Sequence, residues 1–127
     1  MMVDYIFTYL EDREVYASSA AEQAQLETAI RQFLHDNGIG ENQTGTYYRQ
    51  YVQRQLERID TEDLKSYFCA YPKIREIRQI LVESRESVLP ISRRKQLCAL
   101  LETLHCMGLG DKYVPAVEIK LLLGRMV

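Results

Sequence analysis

A chain of 127 residues with 46% hydrophobic content can bury about two thirds of its unfolded surface, so it reads as one domain needing no disulfide or metal to hold it. A formal charge of −2 and a pI near 5.7 exclude a general nucleic-acid coat protein. No apolar run approaches the ~18 residues of a membrane span, which excludes a membrane-embedded class. The start MMVDYIFTYLED carries an acid at position 4 and no basic n-region, so no signal peptide is expected. Cys69, Cys98 and Cys106 are an odd set without CxxC spacing, which points to reduced thiols in a cytoplasmic protein, most of them packed as small hydrophobes.

The small net charge hides a segregation. Residues 1–40 hold two arginines against seven acids, whereas residues 73–95 hold seven cations (Lys73, Arg75, Arg78, Arg85, Arg93, Arg94, Lys95) against three glutamates. An acidic end is joined to a basic middle.

In chain order, residues 1–17 place Tyr5, Ile6, Phe7, Tyr9 and Leu10 at spacings that suit a helix begun at Asp4. A hairpin closed at Glu11–Glu14 is the alternative, disfavoured because nothing else offers a strand to pair with. Ser19 and Glu22 form a capping box that opens a helix over 20–37, with Ala24, Leu26, Ile30, Phe33 and Leu34 inward and Gly38 ending it. Residues 38–45 are a loop. A third helix over 46–59 turns Tyr48, Val52, Leu56 and Ile59 inward. Asp60 or Thr61 then caps a short helix that Tyr71 ends, since the residue before proline is pushed out of helical space. Pro72 at the first helical position starts another, with Ile74, Ile77, Ile80, Leu81 and Val88 as its apolar side.

Ser92 to Met107 is expected to be the central core helix, capped by Ser92 and stopped by Gly108. Leu97, Leu100, Leu101, Leu104 and Met107 lie at helical spacing there, with Cys98 and Cys106 widening the stripe. After Gly108–Asp111, Pro115 opens a last helix so apolar (Val117, Ile119, Leu121, Leu122, Leu123) that it is expected inside the bundle. It carries only Lys120 and Arg125 as cations. The fold class is therefore all-α, a compact bundle of about six to seven helices. The single domain comprises an acidic part at 1–40, a loop at 38–45 and a helical core at 46–127.

Signatures of catalysis are missing from the sequence. Gly38, Gly40 and Gly45 follow a helix rather than a strand and lack the Lys-Ser/Thr ending of a phosphate loop. His35, His105, Cys98 and Cys106 make no metal-ligand pattern, and GxSxG and HExxH do not occur. The expectation is no enzyme, no cofactor and no metal.

Three surfaces carry the functional expectation instead. Arg75, Arg78 and Arg85 lie along one side of their helix with no glutamate at i±4, which marks a solvated or intramolecularly paired face, or a stripe that binds acids or phosphates. Arg93, Arg94 and Lys95 occupy the first turn of the next helix, where cations oppose the dipole at about 0.3–1 kcal/mol each unless an anion docks among them. Tyr47, Tyr51, Arg54 and Arg58 recur at i, i+4, i+7 and i+11, a tyrosine–arginine stripe of the composition enriched in interface hot spots.

Together these predict a small protein-binding regulator, adaptor or inhibitor. A homodimer in which one copy's acidic end meets the other's basic middle is one form of it. The alternative is a nucleic-acid-binding regulator. It would use residues 61–88 as a helix-turn-helix pair, with a turn at Cys69–Tyr71, beside the basic start of 92–107.

Overall fold

The computed structural model describes residues 1–110 and 112–124; Asp111 and Arg125 of the sequence reading lie outside them. The described residues are all-helical. They form α1 (Met2–Asp12), α2 (Ala20–Asp36), α3 (Thr46–Glu57), a 3-10 turn (Thr61–Asp63), α4 (Leu64–Glu86), α5 (Ile91–Cys106) and α6 (Ala116–Gly124), with no strand among them. The chain divides into two compact units, Met1–Tyr71 and Pro72–Val127.

In the first unit, residues 2–12 take the helix and not the hairpin, because Met2, Val3, Ile6, Tyr9 and Leu10 all bury on one side. The helix ends in a Schellman motif. The Glu14 N–H donates to the Glu11 carbonyl and the Val15 N–H to the Leu10 carbonyl, which forces Glu14 to φ 59°. The same motif ends α2 with a glycine: Gly38 at φ 72° donates to His35, and the buried Ile39 donates to Leu34.

Ser19 caps α2 through its hydroxyl, which accepts from the Glu22 N–H. The return half of the capping box is displaced by one residue, since the Glu22 carboxylate accepts from the Ser18 N–H and hydroxyl. Ala24, expected inward, is exposed, and Ala29 takes the core position beside Leu26, Ile30, Phe33 and Leu34. Phe33 meets Phe68 and Tyr71 edge-to-face at 5.8 and 5.9 Å, so α2 seals against the first turns of α4.

The break expected before Pro72 does not occur. Residues 64–86 are one helix with Pro72 inside it, so the expected turn and helix-turn-helix pair are absent. An internal proline costs about 3 kcal/mol through its missing N–H and ring clash. Buried Leu64, Phe68, Tyr71, Ile74, Ile77 and Leu81 continue at three- and four-residue spacing straight through it. Each is worth roughly 1.5–3 kcal/mol on burial, so the uninterrupted stripe outweighs the local penalty.

In the second unit, α5 is not the expected central helix. It buries only Leu97 and Leu104, seven residues apart, while Leu100 and Leu101 are half-buried and Cys98 and Cys106 are exposed. The expected packing of the cysteines as small hydrophobes holds only in part, for half-buried Cys69. Ser92 lies inside α5. The N-cap is Pro90, whose extended backbone leaves its carbonyl to accept from the Arg93 and Arg94 N–H groups. A third Schellman motif, with Gly108 at φ 80°, stops α5 and buries Leu109.

The Pro115 carbonyl accepts from Ile119 at the start of α6. Of that helix's apolar residues only Ile119 is buried and Leu122 and Leu123 are half-buried, so the helix packs along one side and does not lie inside the bundle as expected.

Candidate functional site

Arg93, Arg94 and Lys95 stand in the first turn of α5, where no side chain caps the helix and three cations face its positive end. The structure treats them differently. Arg93 reaches back to α4 and donates to both oxygens of Glu83 at 2.9 Å, to Glu76 at 2.6 Å and to Gln96 at 2.7 Å. Glu76 and Glu83 are seven apart, two turns on one side of α4, and the short connection at residues 87–90 brings α5 back alongside them. This fork holds the Glu83 carboxyl below the usual carboxylate range and raises the Arg93 guanidinium. The anion expected at this turn is therefore supplied by glutamates of the basic segment itself. A charge count hides that arrangement, whereas the i, i+7 spacing reveals it.

Arg94 has no such answer. Its Nε is buried and has no hydrogen-bond partner. It lines a groove of roughly 290 Å³ with Ser84, Ser87, Val88, Leu89 and Leu122. Arg85, at the same groove, is committed to an ion pair with Glu118 of α6. Glu86 is also at the rim and makes no ion pair with Arg94.

Apolar side chains of this unit are left without cover, Val88 on the groove itself. Val88 is 84% exposed, Ile91 69%, Val117 72% and Leu121 60%. Val117 and Leu121 are one turn apart on α6, and Leu121 and Leu122 line a second hollow that shares Ser84 and Arg85 with the first. Val88 was expected on the inner side of its helix; it lies beyond the end of α4 and faces out.

The remaining expected residues do not gather into one surface. Arg78 is exposed and donates to the Tyr113 carbonyl at 3.1 Å. Arg75 and Lys95 are exposed on α4 and α5. The tyrosine–arginine stripe of α3 is divided. Tyr47 is exposed and stacks edge-to-face on Tyr48, while half-buried Tyr51 donates its hydroxyl to Asn37 at 3.4 Å. The exposed Arg54 donates to its own helix at the Gln50 carbonyl, and Arg58 is the exposed C-cap.

A hollow of about 880 Å³ in the first unit is a wide, charged depression walled by Arg13, Tyr16, Asp60, Glu62 and Lys65. Its two cations are engaged. The Arg13 guanidinium sits 3.4 Å from the centre of the Tyr9 ring, and Lys65 pairs with Glu22 at 2.6 Å. That contact with Lys65, followed by the Ser18 backbone, holds the Glu22 carboxyl below its usual range.

Among the described residues no three His, Cys, Asp or Glu side chains converge as a ligand set for a metal. Burial pushes the Cys69 thiol up, the opposite of an activated nucleophile. No described helix is long and apolar enough to cross a membrane. No family model, curated protein or solved structure matches the chain.

Proposed function

We propose that this protein is a small, non-enzymatic, cytoplasmic binding module, a regulator, adaptor or inhibitor in kind. In this reading it engages a protein partner with the end of the second unit where α4 turns into α5 beside α6. One observation carries it: exposed Val88 lines the groove that holds Arg94, and exposed Leu121 lines the hollow that shares Ser84, Arg85 and Leu122 with it, while Ile91 and Val117 are exposed at the starts of α5 and α6. Clusters of uncovered aliphatic side chains with a charged residue among them are what interfaces require and what isolated surfaces avoid.

Charge supports the same end. Residues 72–127 carry ten Lys and Arg against six Asp and Glu, so an acidic partner is favoured and its approach is steered.

The test is a photo-crosslinking residue at Leu121 in the full chain, expressed in cells. A dominant adduct lost on Val88→Asp is expected. Labelling no stronger than that from the same residue at exposed Gln25 overturns the reading. Light scattering across a concentration series reports whether the partner is a second copy. Anisotropy of labelled duplex and single-stranded DNA at about 50 and 200 mM salt tests the nucleic-acid alternative. Binding that collapses in salt and in Arg75/Arg78/Arg94→Glu would favour that alternative over a protein partner.

A further inference from the structure

Helix α1 ends on charges that oppose its dipole. Its last turn holds Glu11 and Asp12 with no basic residue, and Glu14 follows just beyond, so carboxylates crowd the end that is already negative. Arg13, the C-cap, answers only in part, donating to the Tyr9 carbonyl at 3.3 Å and lying over the Tyr9 ring. Glu11 and Glu14 are exposed, and neither makes an ion pair among the described residues.

Beside this end, α1 and α2 leave a hollow of roughly 260 Å³. Buried Leu10 and Leu26 and half-buried Phe7 and Val15 line it, together with Tyr16, which is 61% exposed. The charged side chains on it are Asp4 and Glu11, both acids. Asp4, Phe7 and Glu11 stand at i, i+3 and i+7, so an aromatic ring lies between carboxylates two turns, about 10 Å, apart along one side of α1. Asp4 meets the Met1 amino group at 3.3 Å, an exposed pair that holds the carboxylate weakly. Val15 and Tyr16 also line the 880 Å³ depression, where Arg13 and Lys65 are engaged while Glu14 and Glu62 make no ion pair.

Residues 1–71 carry six Lys and Arg against twelve Asp and Glu, so the wider field at the hollow is negative too. An anionic membrane or a nucleic acid is repelled here, and a bare metal ion finds no converging ligand set among the described residues. A hollow of this volume takes one large apolar side chain, and the acids above and below it call for cations on either side of that anchor.

We propose that the hollow between α1 and α2 docks a basic amphipathic helix of a partner protein. An aliphatic anchor of that helix meets Phe7, Val15 and Tyr16, and its lysines or arginines two turns apart face Asp4 and Glu11. This surface does not depend on the one proposed for the second unit. Where both hold, the chain is an adaptor whose first unit takes a basic partner and whose second takes an acidic one.

The probe is an amidated peptide, stapled as a helix, with leucine between two lysines two turns apart. Controls replace both lysines by glutamine, or the leucine by serine. Each is titrated into the isotope-labelled full chain at about 50 and 200 mM salt, with the amides of Phe7, Glu11, Val15 and Tyr16 as readout. Saturable shifts centred on those residues are expected, weaker in high salt and several-fold weaker with either control peptide. Glu11→Lys should weaken binding by about tenfold, the size expected when a like charge replaces an opposite one at an exposed contact. Val88→Asp, in the second unit, should leave it unchanged, so the two surfaces fail separately.

Absent shifts, or shifts centred elsewhere, overturn the site. So does equal binding by Glu11→Lys or by the glutamine peptide. Glu11→Lys also relieves the negative end of α1, so its Tm should be unchanged or raised. A clear fall in Tm would make Glu11 a structural residue and overturn the assignment. If the same amides shift as the chain alone is concentrated, the basic occupant is a second copy, and the assignment to a separate partner is overturned.

Discussion

The Tyr71 hydroxyl donates to the Asp36 carboxylate at 2.5 Å, tying the end of α2 to α4 across 35 residues of sequence. The Tyr71 ring is buried against Phe33 and Tyr67, so the hydroxyl is the wet tip of a core side chain. Tyr71→Phe keeps the ring and removes the donor. It should cost about 1 kcal/mol, less than the roughly 1.5–3 kcal/mol usual for a bond to a charged group, because Asp36 is itself exposed. Urea unfolding compared with wild type measures it. A change within error would show that the carboxylate is equally well served by water.

Glu14 occupies the left-handed position of the Schellman motif that closes α1, at φ 59°, where its Cβ crowds the backbone. Glycine carries no such penalty there. Glu14→Gly should therefore stabilise the protein by about 1 kcal/mol despite the usual entropic cost of glycine. Gly38→Ala should destabilise it by a similar amount, since φ is 72° and nothing lies near enough for a new Cβ to pack on. Opposite signs in the two unfolding midpoints are expected. Destabilisation by Glu14→Gly would mean that the glutamate side chain contributes more than its backbone strain costs.

Much of the helical layout was readable because apolar spacing and glycine stops are local signals. Leu26, Ile30, Phe33 and Leu34 announce one side of α2, and Gly38 and Gly108 sit where the left-handed residue is required. Two features were not readable. Proline's rule is local, whereas the decision at Pro72 was made by the buried stripe running from Leu64 to Leu81, so two expected helices are one. Helix apolarity likewise states how much could be buried but not how much is covered. In α6, Ile119 is buried while Val117 and Leu121 are exposed, and no pattern inside that helix separates them. The candidate groove was half legible: Arg94 stood out as a cation at a helix start, but Val88 and Leu122 of its aliphatic walls were assigned to the core.

Pro72 should be removable. Its ring is exposed, so replacement by alanine deletes little packing, restores a helical N–H for the Phe68 carbonyl and relieves the ring clash. Loss of proline's restriction on the unfolded chain offsets part of this gain. Pro72→Ala is expected to raise stability by about 1–2 kcal/mol, seen as a higher urea midpoint with an unchanged slope. A destabilised variant would show that the helix depends on the bend or spacing that proline imposes.

The Arg93 fork makes part of the acid stability predictable. Arg93 holds the Glu83 carboxyl below the range it has in the unfolded chain, so folding favours the ionised form. The stabilisation from this contact is complete above the ordinary glutamate value of about 4.3 and is lost as pH falls through the lower folded-state value. The raised Arg93 guanidinium stays protonated across this window and adds no titration of its own. Glu22, lowered by Lys65, contributes in the same direction in the first unit, so the wild-type acid limb alone does not isolate Arg93. The difference between wild type and Arg93→Gln does. Urea midpoints should differ most from pH 6 to 8 and converge as pH falls through the lowered folded-state value of Glu83. A difference that stays undiminished down to the lowest pH at which both proteins are folded would mean that Arg93 acts through its packed stem, and that the fork to Glu76 and Glu83 adds no stability of its own.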